Sequence, residues 1–244
     1  MILLTFGQPK SASTFLAQIS RRAAVLASRP QADLYRTYLT QFPQHSGGFW
    51  EGALDPLLDV AGRMAAGDIM SIKTHAPPPA DAQALARNPH VRVFLSYRDP
   101  GDAALSCHDA GAALRAEGSD KQPAFQRLTT HRAAIDFMLA YIEGAVMPWL
   151  RSGVGTAYSF DELTNSPDRF LGDLAEAVGL DPARLRQDPA IDLLLTGERR
   201  VYNFNKGVSG RAASTFSAED RAYVADNAGP FIAFCEGRIA RADL

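Results

Sequence analysis

The stretch "ILLTFGQPKSASTF", residues 2–15, decides how the rest of the chain is read. Ile2–Phe6 is an apolar run of the length expected for a buried strand. From Ser13 onward Phe15, Ile19, Ala23 and Leu26 recur at helical spacing. Between the two lies a short loop of glycine, proline, one lysine and small hydroxyl residues. Strand, loop and helix in that order aim the loop N–H groups and the first helical turn at one point, where the helix dipole favours an anion. Lys10 adds positive charge there, and Ser11, Ser13 and Thr14 add hydroxyl donors. The nucleotide-triphosphate spelling, Gly-x-x-x-x-Gly-Lys-Ser/Thr, is absent, because here the lysine comes early and small residues follow it.

Working outward, strands are predicted at 68–73, 91–97 and 154–159. Asp99-Pro100 supplies an N-cap and an N1 proline for a helix through about Leu114. Helical character runs from about Pro123 to Leu150, with a break expected near Pro148. Residues 166–180 read as a helix with a serine cap, N1 proline and terminal Gly179, and "SAED", 217–220, as a capping box. Asp161 and Glu162 read as helix-start residues. Strands alternating with helices predict an α/β chain with a P-loop-like, doubly wound, mainly parallel sheet in one domain, 1–244. Segment 28–66, rich in aromatic residues without a regular pattern, and segment 108–131 are expected to form a lid or acceptor pocket.

With 244 residues and 46% hydrophobic content, the chain can bury one large core. A net charge of −2 argues against nucleic acid or an anionic membrane as partner. Cys107 and Cys235 form no CxxC, so no metal spacing is present. No signal peptide and no apolar stretch near the roughly 20 residues of a membrane span are evident, and a soluble, cytoplasmic protein is expected.

Two further stretches bring cations to the ends of predicted strands, and a third brings one to a loop before the final helix. "SIKTHAPPP" places Lys73 and His75 at the end of the second strand, on the edge where doubly wound sheets bind ligands. "LSYRDPGDAALSCHD" places Arg98 at the end of the third, with Ser106 eight residues later. "NKGVSG", 205–210, holds Lys206-Gly207 in a glycine-rich loop. A second anion held by Arg98, Ser106 and Lys206 fits this set.

In this order the motifs resemble those of sulfotransferases that use 3'-phosphoadenosine 5'-phosphosulfate, of the cytosolic type and with a region common in bacterial members. Pro9-Lys10-Ser11-Ala12-Ser13-Thr14-Phe15 resembles that family's 5'-phosphosulfate loop, and Lys73-Thr74-His75 its catalytic-histidine segment. Arg98 and Ser106 resemble its pair for the 3'-phosphate, and Asn205-Lys206-Gly207 the loop closing over it. Tyr158 stands in a segment that touches adenine in the family, although core packing is an equal alternative. The resemblance implies a donor that leaves as adenosine 3',5'-bisphosphate, a small and apolar or aromatic hydroxyl acceptor, and no metal. It implies His75 as general base, Lys10 at the bridging oxygen and Lys73 at the sulfuryl oxygens. Asn205 replaces the usual loop arginine, Gly210-Arg211-Ala212 departs from the usual loop ending, and Phe15 stands where tryptophan commonly stacks. Arg211 to Asp220 loosely resembles a dimer motif, so a homodimer is an expectation. Two alternatives stay open: a small-molecule or nucleoside kinase with an atypical phosphate loop, which requires Mg²⁺ and ATP, and a non-catalytic nucleotide-binding module.

Overall fold

The computed structural model describes residues 1–196 and 208–244. Its sheet has six strands: β1 (Ile2–Gly7), β2 (His45–Ser46), β3 (Phe49–Trp50), β4 (Met70–Thr74), β5 (Val91–Tyr97) and β6 (Thr156–Ser159). Their order is β2-β3-β4-β1-β5-β6, and every pairing but β2–β3 is parallel. The helices are α1 (Ser13–Ala27), α2 (Gln31–Tyr38), α3 (Asp55–Arg63), α4 (Ala82–Arg87), α5 (Pro100–Ala116), α6 (Pro123–Gln126), α7 (His131–Tyr141) and α8 (Met147–Arg151). They continue with α9 (Phe160–Asn165), α10 (Asp168–Val178), α11 (Pro182–Arg186), α12 (Pro189–Leu195), α13 (Arg211–Thr215) and α14 (Ala218–Cys235). This is the doubly wound, mainly parallel α/β architecture read from the sequence.

β1 is apolar almost throughout because both its faces are covered. Ile2, Leu4 and Phe6 point into one core cluster with Ile72, Val93, Leu95 and Trp149. Leu3 points into the other, where Phe15, Leu16 and Ile19 of α1 meet Phe94, Tyr158 and Phe170. Burying each such side chain contributes about 1.5–3 kcal/mol before entropy is counted. The parallel register pairs Thr5 with Lys73 and Gly7 with Ser96, so β4 and β5 both finish beside the exit of β1. A Cβ on Gly7 would collide with Ser13 Cβ and Ser96 Oγ, so only glycine lets α1 start this close to the sheet.

Several local readings change. Segment 28–66 is regular: α2, the β2–β3 hairpin and α3. Its strands are two residues each, too short for a periodic signal. The break in the 123–150 stretch falls at 127–130, where Thr130 Oγ1 accepts from Ala133 N and caps α7. At Pro148 the chain instead stays helical, following a π turn over Ile142–Val146 in which Met147 N reaches Ile142 O. A widened turn accommodates a residue that has no N–H to give. Ser166 is not the cap of α10; Pro167 is the N-cap, with no side-chain bond. Ser217 does cap α14, accepting from Asp220 N at 3.0 Å.

The helical run His131–Arg151 spans 21 residues and includes an 18-residue window of mean hydropathy 1.3, long and apolar enough by length and composition to cross a membrane, contrary to the sequence reading. Half of that window is buried, and Ile135, Met138 and Trp149 belong to the core. In the 211–220 segment, Arg211 pairs with Asp109 at 2.7 Å and Phe216 is buried.

Candidate functional site

The loop after β1 turns through two left-handed residues, Lys10 and Ala12, each with φ 65°. Non-glycine residues adopt this conformation at a cost of roughly 1–3 kcal/mol, and alternating it with right-handed residues points successive N–H groups to one side. The buried Gln8 holds the loop in place. Its backbone carbonyl accepts from Ser11 N at 3.2 Å, and its Oε1 accepts from Arg98 N at 2.9 Å. Nothing in the sequence sets this glutamine apart from its polar neighbours; its role appears only when β5 arrives.

Three chain segments converge here. Lys73 Nζ donates to Thr14 Oγ1 at 3.1 Å, and burial lowers the ammonium to about 8. His75 Nδ1 lies 2.8 Å from Gly7 O, which places its hydrogen on Nδ1 and leaves Nε2 as an acceptor. No described residue hydrogen-bonds to Nε2. Burial, reinforced by the Lys73 charge and opposed by the Gly7 bond, lowers His75 to about 4. Lys10 is lowered by burial and lies 5.7 Å from the Phe125 ring centroid. Phe49 lies beside His75, with 5.5 Å between ring centroids.

Arg98 is 6% exposed and makes no ion pair with a described residue, although Asp99 follows it directly. Its guanidinium donates to Lys10 O at 3.2 Å and to Val208 O at 2.7 Å, and lies 3.8 Å from the Phe160 ring centroid. Its Nε is buried with no partner among the described residues. Such an orphaned donor costs about 1–3 kcal/mol. A buried arginine that bonds only carbonyls and has a donor left over fits an anion. Ser106 is buried two turns into α5. A cavity of about 300 Å³ opens beside Arg98, with Phe160, Asp161, Ser209 and Gly210 among its lining.

Three of the sequence-predicted site residues turn their side chains inward. The Ser11 hydroxyl faces inward, 2.7 Å from Gln8 O and 2.8 Å from Ser96 Oγ, so it braces the loop instead of serving as a free donor. Phe15 is buried in the second core cluster, because it falls on the sheet-facing side of α1. Tyr158 is 0% exposed, with its hydroxyl donating to Asp173 at 2.6 Å; core packing is the arrangement found. The aromatic residues that line the cavity are Tyr97 and Phe160, the latter two residues on from Tyr158, a spacing the β6-to-α9 turn settles and periodicity does not.

Asn205, Lys206 and Gly207 lie outside the described residues. The chain resumes at Val208, whose carbonyl meets Arg98. Asp102 then anchors the following turn: its carboxylate accepts from Gly210 N at 2.5 Å and Ala212 N at 2.9 Å. The sequence offers Asp102 only as a first-turn acid of α5, since its partners are more than a hundred residues away.

No protein-family profile matches the chain, and no curated protein matches it. Among solved structures it is similar to mouse sulfotransferase SULT7A1 complexed with PAP, at TM-score 0.58 and 13% identity over 98% of this chain and 89% of that one. It is also similar to retinol dehydratase in complex with androsterone and inactive cofactor PAP, at TM-score 0.51 and 13% identity over 93% and 80% of the respective chains. The strand order, the cation-bearing edge and these two likenesses together give this chain the sulfotransferase fold.

Proposed function

We propose that the chain transfers a sulfuryl group from 3'-phosphoadenosine 5'-phosphosulfate to a hydroxyl of a small, apolar or aromatic acceptor. The observation that carries this reading is Arg98, a buried guanidinium with an orphaned donor, joined through Lys10 O to the loop that bears Lys10. Two cationic seats side by side suit a nucleotide with anions at both its 5' and 3' positions. When bound, the donor supplies an electrophilic sulfur and a bisphosphate leaving group.

The loop N–H groups and Lys10 hold the 5' end and oppose charge growing on the leaving oxygen. Lys73, anchored by Thr14, faces the same region. His75 Nε2 takes the acceptor's hydroxyl proton as that oxygen bonds to sulfur. Arg98 and Ser106 hold the 3'-phosphate, with Lys206 from the glycine-rich loop. Phe49 beside His75 and Phe125 beside Lys10 come from the two segments read as acceptor walls, and they favour an apolar or aromatic alcohol.

A thermal-shift comparison tests the reading, because a nucleotide that binds only the folded state raises its melting temperature in step with RT ln(1 + [L]/Kd). At equal concentration and without Mg²⁺, adenosine 3',5'-bisphosphate is expected to stabilise clearly, and adenosine 5'-phosphate and ATP much less. Mass spectrometry of pooled small alcohols and phenols incubated with donor then identifies the acceptor. ATP with Mg²⁺ outperforming the bisphosphate would overturn the proposal in favour of a kinase.

A further inference from the structure

We propose that Tyr141 is the positioning residue for His75, aimed by the π turn that follows it; this rests on the reading of His75 as the base. Pairing of β4 with β1 ends at Thr74, so the carbonyls of His75 and Ala76 leave the ladder and need other donors. Tyr141 Oη donates to His75 O at 2.9 Å, and Trp149 Nε1 donates to Ala76 O at 3.0 Å. One helical run thus holds the two peptides that carry and follow the histidine.

Tyr141 Oη also stands 3.5 Å from His75 Nδ1, with the two rings edge to face at 77°. At 3.5 Å this contact is too long to be a strong hydrogen bond, and Nδ1 is already committed to Gly7 O. The phenol therefore acts through the His75 peptide and by closing one side of the ring. Gly7 O on one side and Tyr141 on the other leave the imidazole one orientation, with the unprotonated Nε2 turned away from both.

The spacing explains why the helix widens. Tyr141 and Trp149 are eight residues apart, and in a regular α-helix at 3.6 residues per turn that leaves them about 80° out of line. The π turn over Ile142–Val146 absorbs the extra residue. Both rings then rest against Phe6, at centroid separations of 6.4 and 5.5 Å, and reach consecutive carbonyls. Removing the widening would separate the two bonds.

The test is Tyr141→Phe, which keeps the ring and its packing and removes only the hydroxyl. Two readouts are needed: kinetics with a verified acceptor, and the ¹⁵N imidazole spectrum of His75, which requires no turnover. In the unsubstituted protein the ring should carry its proton on Nδ1, and a ring protonated on Nε2 would overturn the assignment whatever the variant does. In Tyr141→Phe the tautomer should become mixed, and kcat should fall about tenfold while donor KM changes less than about twofold. A fall in kcat with the tautomer unmoved would make Tyr141 merely structural and sink the idea, as would no change in either. If the tautomer mixes but no acceptor is ever sulfated, the positioning role stands and the sulfuryl-transfer reading falls.

Discussion

Lys73 Nζ donates to Thr14 Oγ1 across 3.1 Å, tying the end of β4 to the first turn of α1. A hydroxyl can orient an ammonium but does not neutralise it. The half-buried lysine is therefore aimed, and no described carboxylate pairs with it, so under the proposed reaction the sulfuryl oxygens would meet an unneutralised charge. Thr14→Val keeps the shape and removes the tether. Donor affinity should fall about 10- to 100-fold, the range of one hydrogen bond to a charged group. Calorimetric titration with adenosine 3',5'-bisphosphate and with the full donor checks this. The full donor should lose more, because only it carries the sulfuryl oxygens.

The pH behaviour follows from two lowered groups. His75 lies at about 4 against an ordinary 6.5, and Lys73 at about 8 against 10.5, both chiefly through burial. The unfolded chain therefore binds more protons than the folded one in each window. Stability should rise with pH from about 4 to 6.5, and again from about 8 to 10.5. Turnover has different limits: His75 remains a base down to about pH 4, while Lys73 loses its charge above about 8. The rate kcat/KM should thus be flat from about pH 5 to 8 and fall above that. A profile that drops as pH falls through 6.5 would show that His75 is not held as described.

Arg98→Ala should erase most of the preference for the bisphosphate over adenosine 5'-phosphate. Charge-assisted contacts are worth about 1.5–3 kcal/mol each, so affinity for the bisphosphate should drop tenfold or more. Weak binding through the Lys10 loop should remain, since the loop is braced independently by Ser11 and Gln8. Equal losses for both nucleotides, measured by calorimetry, would place Arg98 in general support of the fold.

Asp102→Ala removes the acceptor for two backbone N–H groups, at Gly210 and Ala212. Leaving these donors unmatched should lower stability by about 1–3 kcal/mol, read by denaturant unfolding. Val208 should then no longer be held against Arg98, so bisphosphate affinity should fall as well. Loss of stability with unchanged affinity would separate this anchor from nucleotide binding.

Much of this was legible because it is local. The run Ile2–Phe6, the helical spacing from Phe15 to Leu26 and the Asp99-Pro100 start each specify an element within a few residues. Parallel pairing then brings Lys73, His75 and Arg98 to one edge without further information. The direction of individual side chains was not legible. Phe15 and Tyr158 turn inward because the second core cluster needs them, and Ser11 turns inward because Ser96 waits across the sheet. Gln8 and Asp102 carry their meaning only in partners 90 and 108 residues away. The π turn escaped notice because Pro148 looks the same before a break and before a widened helix.

β1 lies between β4 and β5, so the site is built largely from contacts distant in sequence. His75 to Gly7 spans 68 residues, Lys73 to Thr14 spans 59, and Arg98 to Lys10 spans 88. Each closes a long loop before it gains anything, which slows folding more than it lowers stability. Helices such as α5 and α7 can form early from their own caps, but the contacts that join Lys73, His75 and Arg98 to the loop after β1 wait for the sheet. Refolding followed by fluorescence and by bisphosphate capture should therefore share one slow final phase, and the ligand should slow unfolding without hastening assembly.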